Sequence, residues 1–450
     1  MKNKRVQRGA ALLAIVLILS ILAACGGKTN NGSGETSPAA SSPASSASNT
    51  ESSAAPSKEP VEMVLATFNA WGETEGLKSA IAAYEKSTGN KVRVDVYPDD
   101  QFINILKTKL STNDAPDLFM ATAGDGTIPF SFLEPLQGPW VDKTLDSVKL
   151  FTTKEGVAYE AYAFPLGYFG AIYNKKVFEA AGVKVPMMNY QELMDGMKKI
   201  QATGVTPLFI PGKDGWTYQM LQAVGGVYSV TDEEANRMAK NETKPSQMDG
   251  FLKFAEHMVT LQPYTNKDHM SVIIADGYQG LLDGKYGMTV LGDWLYDDFA
   301  KLDPEKVKDL GFMPFTLDDS KISAVVNLSG RVLGVPFNSK HKQEAKDMVN
   351  FLMEPDNFNI LVKPVQGASP YKGYDTEKSV WQEEVDGYVS QLNIPVTLDV
   401  IRQRFPTFPL GTDAGKPIQD IFNGKDVKKA FDDWYTDYAQ YNRTVKTPGW

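Results

Sequence analysis

Residues 61–122, VEMVLATFNAWGETEGLKSAIAAYEKSTGNKVRVDVYPDDQFINILKTKLSTNDAPDLFMAT, carry two hydrophobic periods in alternation. Val61 to Phe68 reads as a buried strand. Thr74 is placed to cap a helix on which Leu77, Ala80, Ile81 and Tyr84 share one face, with a stop near Gly89. Val92, Val94 and Val96 then alternate as in a half-buried strand. Phe102, Leu106 and Leu110 recur at helical spacing, and Asp117 to Thr122, after Pro116, is strand-like again. This βαβαβ order predicts an α/β fold with a mostly parallel sheet covered by helices, because parallel neighbours need a crossover and the helices supply it.

The same grammar continues toward the C-terminus. Asn189 with Glu192, and Thr231 with Glu234, are spaced as capping boxes. Val427, Phe431, Trp434, Tyr438 and Tyr441 form an aromatic stripe at helical spacing, read as packing rather than as a cofactor site. No internal repeat with a period of about 20 to 50 residues is evident, which argues against a solenoid or propeller. At 450 residues the chain exceeds what one core serves, roughly 250 to 300 residues, so about two or three lobes are expected, two being the first reading.

Toward the N-terminus the composition changes. Lys2, Lys4, Arg5 and Arg8 precede an apolar run from Gly9 to Ala24, the pattern of a secretion signal over residues 1–24. Leu22-Ala23-Ala24-Cys25 resembles the bacterial lipobox, and Cys25 is the only cysteine. That resemblance implies diacylglycerol on the Cys25 thiol, and so a membrane anchor, a lipid-attached position on the outer face of the cytoplasmic membrane and a Gram-positive-like surface. It also leaves no thiol for a disulfide, a thiolate metal site or a nucleophile. From Gly26 to Pro60, 24 of 35 residues are Ser, Ala, Pro or Gly, so residues 25–60 read as a lipidated Cys and a disordered tether.

The chain is 42% hydrophobic and 22% charged, which excludes collagen, coiled coil and multi-span membrane classes. Its net charge of −9, with no basic domain beyond the N-terminus, argues against nucleic acid as partner. His257, His269 and His341 belong to no ligand-spaced cluster, and no P-loop, GxGxxG or GxSxG occurs. The doublets Asp99-Asp100, Asp297-Asp298, Asp318-Asp319 and Asp432-Asp433 suit solvated loops and helix starts better than a glycosidase pair. No cofactor is implied.

Further motifs follow in order: Ala115-Pro-Asp-Leu-Phe119, Leu133-Glu-Pro-Leu136, Phe164-Pro165, Ile172-Tyr-Asn-Lys-Lys-Val-Phe-Glu-Ala-Ala-Gly182 and Gly225-Gly226. Then come Gly284-Lys-Tyr-Gly-Met288, Gly292-Asp-Trp294, Ser329-Gly330, Ser339-Lys340 before Glu344-Ala345, and Gly367-Ala-Ser-Pro370. In order and spacing the set resembles the extracellular solute-binding proteins of carbohydrate ABC importers, the group that includes maltose-binding protein. The resemblance implies a type II periplasmic-binding-protein-like fold, two α/β lobes joined by crossing hinge strands with a ligand cleft between them. Lobe 1 would take residues 61–167 and 332–372, and lobe 2 residues 168–331 and 373–450. It implies a monomeric binding protein, not an enzyme, whose partners are a carbohydrate, expected to be an oligosaccharide, and ABC permease subunits. A sugar sensor for a membrane receptor and a secreted polysaccharide-degrading enzyme are the alternatives.

A sugar pocket wants aromatic plates for C–H faces and fixed polar groups for hydroxyls. On the resemblance, Trp294 is the first choice as stacking platform, with Asp293 beside it accepting from hydroxyls; a core Trp is the other reading. Trp71, Asn69 and Glu73 follow the first strand at its C-terminal end, where open α/β sheets take ligands. Asp125 follows the third strand, Tyr168 lies on the first crossing, and Trp216 follows Gly212-Lys-Asp-Gly215. Arg331 on a crossing strand offers a guanidinium fork for a carboxylate or paired hydroxyls, or for an interlobe salt bridge. Tyr371, after Gly-Ala-Ser-Pro, completes the set. Ala121 stands where maltose-binding protein has a stacking Trp, so maltose itself is not implied.

Overall fold

The structure is a computed structural model. It describes residues 59–98, 101–112, 114–124, 127–213, 217–218, 231–328, 330–363, 365–398, 412–444 and 449–450. The signal, lipidation and most of the tether expectations, Cys25 included, lie outside the described residues, as do Asp125, Trp216 and the doublet Asp99-Asp100.

The first strand, β1 (Glu62–Phe68), sends Met63 and Leu65 to one face and Ala66 and Phe68 to the other, and both faces are covered. Helix Glu75–Thr88 begins where Thr74 accepts the Leu77 N–H and ends on Gly89 at φ 79°. It buries Leu77, Ala80, Ile81 and Tyr84, as the spacing predicts. Strand β2 (Lys91–Tyr97) lies at the sheet edge with its valines half-buried. Helix Phe102–Leu110 buries Phe102, Leu106 and Leu110, and β3 (Leu118–Thr122) follows. β1 pairs with β2 and with β3 in parallel.

Beyond β3 comes a short hairpin of β4 (Thr153–Lys154) and β5 (Val157–Ala158), then β6 (Glu160–Tyr162). The chain next enters a second sheet on β7 (Gly167–Asn174), buried along its whole length. That sheet adds β8 (Thr206–Phe209), β9 (Tyr286–Gly292), β10 (Leu310–Met313) and β11 (Val325–Leu328). From β11 the chain returns to the first sheet as β12 (Arg331–Gly334), and later supplies β13 (Val396–Leu398) to the second.

The first sheet therefore runs β2-β1-β3-β12-β6 and the second β13-β11-β7-β9-β8, with β10 also on β7. The expectation of mostly parallel pairing needs amending. β12 is antiparallel to β3 and β6, and β7 is antiparallel to β9, β10 and β11. The crossings account for this, since a strand arriving from the other sheet enters against the local direction.

The crossing segments lie side by side. Ala163 donates to the Arg331 carbonyl at 2.8 Å, and Leu166 and Ala368 exchange hydrogen bonds of 2.7 and 3.1 Å. Of the capping boxes, Thr231–Glu234 forms completely. Asn189 accepts from Glu192 N, but the Glu192 carboxylate takes the Met188 N–H instead of returning to Asn189. The aromatic stripe on helix Val427–Thr444 is packing: Phe431, Trp434 and Tyr438 are buried in the second sheet's core. The side chain of Tyr441 is outside the described set.

Candidate functional site at the lobe junction

The ends of β1, β3 and β12 that face the crossings bring three side chains together. Arg331 is paired in register with Thr122, and its Nη1 donates to the Thr122 Oγ1. The guanidinium carbon stands 4.8 Å from the Phe68 ring centre and 5.4 Å from that of Trp71. Such contacts hold a cation over aromatic faces without neutralising it. Trp71 meets Phe164 of the first crossing edge-on at 3.7 Å, and its buried Nε1–H has no hydrogen-bond partner among the described residues.

Asn69 and Glu73 flank Trp71, both exposed. Glu73 pairs with Lys78 at 3.0 Å, a solvated contact on the helix start. Gly124, just before Asp125, donates to Glu160 Oε2 at 3.0 Å.

On the second sheet, β9 ends at Gly292, and a single 3-10 turn carries Asp293, Trp294 and Leu295. Asp293 and Trp294 part company there. Trp294 is half-buried, edge-on to Phe169 at 5.5 Å, and its indole lies against two glycines. A Cβ on Gly292 would stand 1.6 Å from Cζ3 of Trp294, and one on Gly167 would stand 3.2 Å from its Cε3. Only residues without side chains let an indole lie on the backbone in this way.

Asp293 turns inward and is 1% exposed. Its Oδ1 accepts the Tyr168 N–H at 2.9 Å, and burial pushes its pKa up to about 7. Asp293 is therefore a buried support behind the indole, and the expectation of direct hydroxyl contact is corrected.

Tyr168 is buried too, and its hydroxyl donates to Asp386, which Lys378 holds at 2.7 Å. Desolvation, followed by the nearby Asp386 charge, raises the Tyr168 pKa well above the ordinary phenol range. Tyr371 is 2% exposed and spends its hydroxyl on the Tyr162 carbonyl at 2.9 Å. Packing against Trp140 and Phe358 accounts for it, so it offers no face to a ligand.

The structure thus joins Trp71 with Arg331, and Tyr168 with Asp293 and Trp294. Both groups contact the crossing 164–168, Trp71 at Phe164 and Asp293 at Tyr168. These contact points are four residues apart, about 13 Å along an extended chain. Phe68 and Thr122 are not singled out by the sequence, and Phe164 stands there only as part of the Phe164-Pro165 motif. Their signal is position alone, at strand ends beside a crossing.

The remaining polar candidates are structural. His257 stacks on Tyr190 at 3.6 Å, His269 accepts or donates at the Tyr218 hydroxyl, and His341 begins helix Lys342–Leu352. Asp319 pairs with Lys253, Asp298 takes the Tyr278 hydroxyl, and Asp432 and Asp433 pair with lysines. Among the described residues no group of three or more His, Cys, Asp or Glu is placed to hold a metal.

Two α/β lobes, joined by adjacent crossings and carrying aromatic groups at the junction, define a binding-protein architecture. The family model described as bacterial extracellular solute-binding protein matches residues 70–357, and the chain belongs to that family. It is 22% identical over 413 residues to an uncharacterized ABC transporter extracellular-binding protein of Pyrococcus horikoshii, covering 84% of this chain and 88% of the relative. It is 22% identical over 366 residues to the melibiose/raffinose/stachyose-binding protein MelE of Bacillus subtilis, covering 77% and 84%. A solved structure of a sugar transporter from Bacillus licheniformis in complex with stachyose has a TM-score of 0.69 at 19% identity, covering 84% of this chain and all of that one. The type II fold expected from the sequence is therefore present. The protein is a solute-binding protein and not an enzyme, which removes the polysaccharide-degrading alternative.

Proposed function

We propose that this chain captures a carbohydrate outside the cell, closes its two lobes over it and presents it to the permease of an ABC importer. The observation that carries the reading is the Trp294 indole laid on Gly167 and Gly292 at the lobe junction, a flat apolar plate suited to the C–H face of a sugar ring. Trp71 and Arg331 supply a second aromatic edge and a fork of donors for hydroxyls, with Asn69 exposed beside them. The relatives' ligands, melibiose, raffinose and stachyose, make galactosyl oligosaccharides the first class to try. Lobe 1 is assigned to residues 61–167 and 332–372 and lobe 2 to 168–331 and 373–450. Cys25 is assigned as the lipid anchor, on a tether that holds a monomeric receptor at the outer face of the cytoplasmic membrane.

Calorimetry and thermal unfolding with raffinose, stachyose and melibiose test the reading. At about 100 times the dissociation constant, linkage adds roughly 2.7 kcal/mol of stability. Trp294→Ala is expected to remove most of that gain while the sugar-free protein stays folded. A Trp294→Ala variant that binds as tightly as the parent would show that this indole is only core. Replacing Cys25 by Ser is expected to release the protein into the medium, as fractionation of cells and supernatant reads directly.

A further inference from the structure

Asp293 occupies the point where the end of β9, the indole of Trp294 and the start of β7 meet. Its Oδ1 holds the N–H of Tyr168, the second residue of the strand that arrives from lobe 1. A Cβ on the preceding Gly167 would stand 2.7 Å from that same oxygen and 3.2 Å from the indole, so carboxyl and indole press on one stretch of backbone. Oδ2 has no hydrogen-bond partner among the described residues. A carboxyl buried with one oxygen unsatisfied destabilises a fold, and at 1% exposure this one cannot touch a ligand. What it does reach is the backbone at the crossing.

We infer that Asp293 is a positioning residue that clamps the Trp294 plate to the first residues of the crossing strand. A ring stacked on the indole then bears on the segment about which the lobes turn. The inference rests on Trp294 being the stacking surface, and it assigns the hinge-side half of the Gly-Asp-Trp motif a separate job. An acceptor at Oδ1 is what the job requires, and a charge is not.

The full chain, Asp293→Asn and Asp293→Ala are compared by two readouts: hydrogen exchange at the Tyr168 amide without sugar, and the dissociation constant for raffinose. Asn keeps an acceptor at Oδ1 and is expected to match the parent within about twofold in both. Ala is expected to accelerate Tyr168 exchange by about tenfold and to weaken raffinose by a similar factor, the loss of one buried hydrogen bond. Unchanged Tyr168 exchange in the Ala variant overturns the clamp. Accelerated exchange with parental raffinose affinity overturns the transmission to ligand, and an Asn variant that behaves like Ala overturns the role of the acceptor. If the parent itself ignores raffinose, stachyose and melibiose, it is the carbohydrate reading that fails, and the exchange readout still judges the clamp. Gly167→Ala is the second variant, for the case that Ala at 293 does not fold. It leaves the carboxyl in place and crowds both groups, so weakened raffinose binding supports the inference and parental affinity opposes it.

Discussion

Burial of the Asp293 carboxyl, with hydrogen bonds that only partly offset it, pushes its pKa up to about 7, while in an unfolded chain it titrates near 3.9. Between those values the folded protein keeps a proton that the unfolded chain has released. Stability therefore falls as pH rises through that window and is level above it. Asp386, which reaches the same Tyr168 through its hydroxyl, is paired with Lys378. Asp293→Asn has no such titration. Urea unfolding should show its advantage over the parent growing from about pH 4 to about pH 7 and constant beyond. An advantage identical at both ends would mean that the carboxyl titrates normally. Sequence identified Gly292-Asp-Trp294 as a unit but not the inward turn of its middle residue, because one 3-10 turn sends neighbours in opposite directions. Tyr371 was misplaced for a similar reason: a Tyr near a crossing has the same sequence signature whether its hydroxyl meets ligand or the Tyr162 carbonyl.

Elements built from local periodicity were legible in the sequence, and elements built from distant pairing were not. The helix after β1 was readable from its cap, its apolar face and its Gly89 stop, all within 16 residues. β12 is four residues long and gains its place only by pairing with β3 and β6, far away in the chain. No local pattern specifies such a strand or its antiparallel sense. The junction of β7 and β9 falls between these cases, since its glycines are visible but their purpose is not. Phe169 and Gly292 are register partners, and the indole needs the missing Cβ of Gly292. Gly292→Ala should drive Trp294 off the backbone, because a side-chain atom 1.6 Å from Cζ3 leaves no room to adjust. Raffinose binding should then drop about as far as in Trp294→Ala, by calorimetry, with β7 and β9 still paired. A Gly292→Ala protein that binds like the parent would place the ligand elsewhere than on this indole.

At the scale of the whole molecule, the proposed function requires the lobes to move. The hydrogen bonds of Ala163 to Arg331 and of Leu166 with Ala368 tie the crossings to one another, so the bending that closure requires is expected in the few residues on either side of them. Binding can favour the closed form only by as much as the ligand prefers it to the open one. A sugar that touched Trp294 alone would bind both forms alike, whereas one gripped also by Trp71 and Arg331, which sit at the ends of first-sheet strands, would draw the lobes together. Small-angle X-ray scattering distinguishes the cases. The radius of gyration of the parent should fall when saturating raffinose is added, and Arg331→Ala, at sugar concentrations high enough to fill its weakened site, should show a smaller fall. Saturation without any contraction in the parent would mean that the sugar sits on one lobe, and the permease would then have no closed form to recognise.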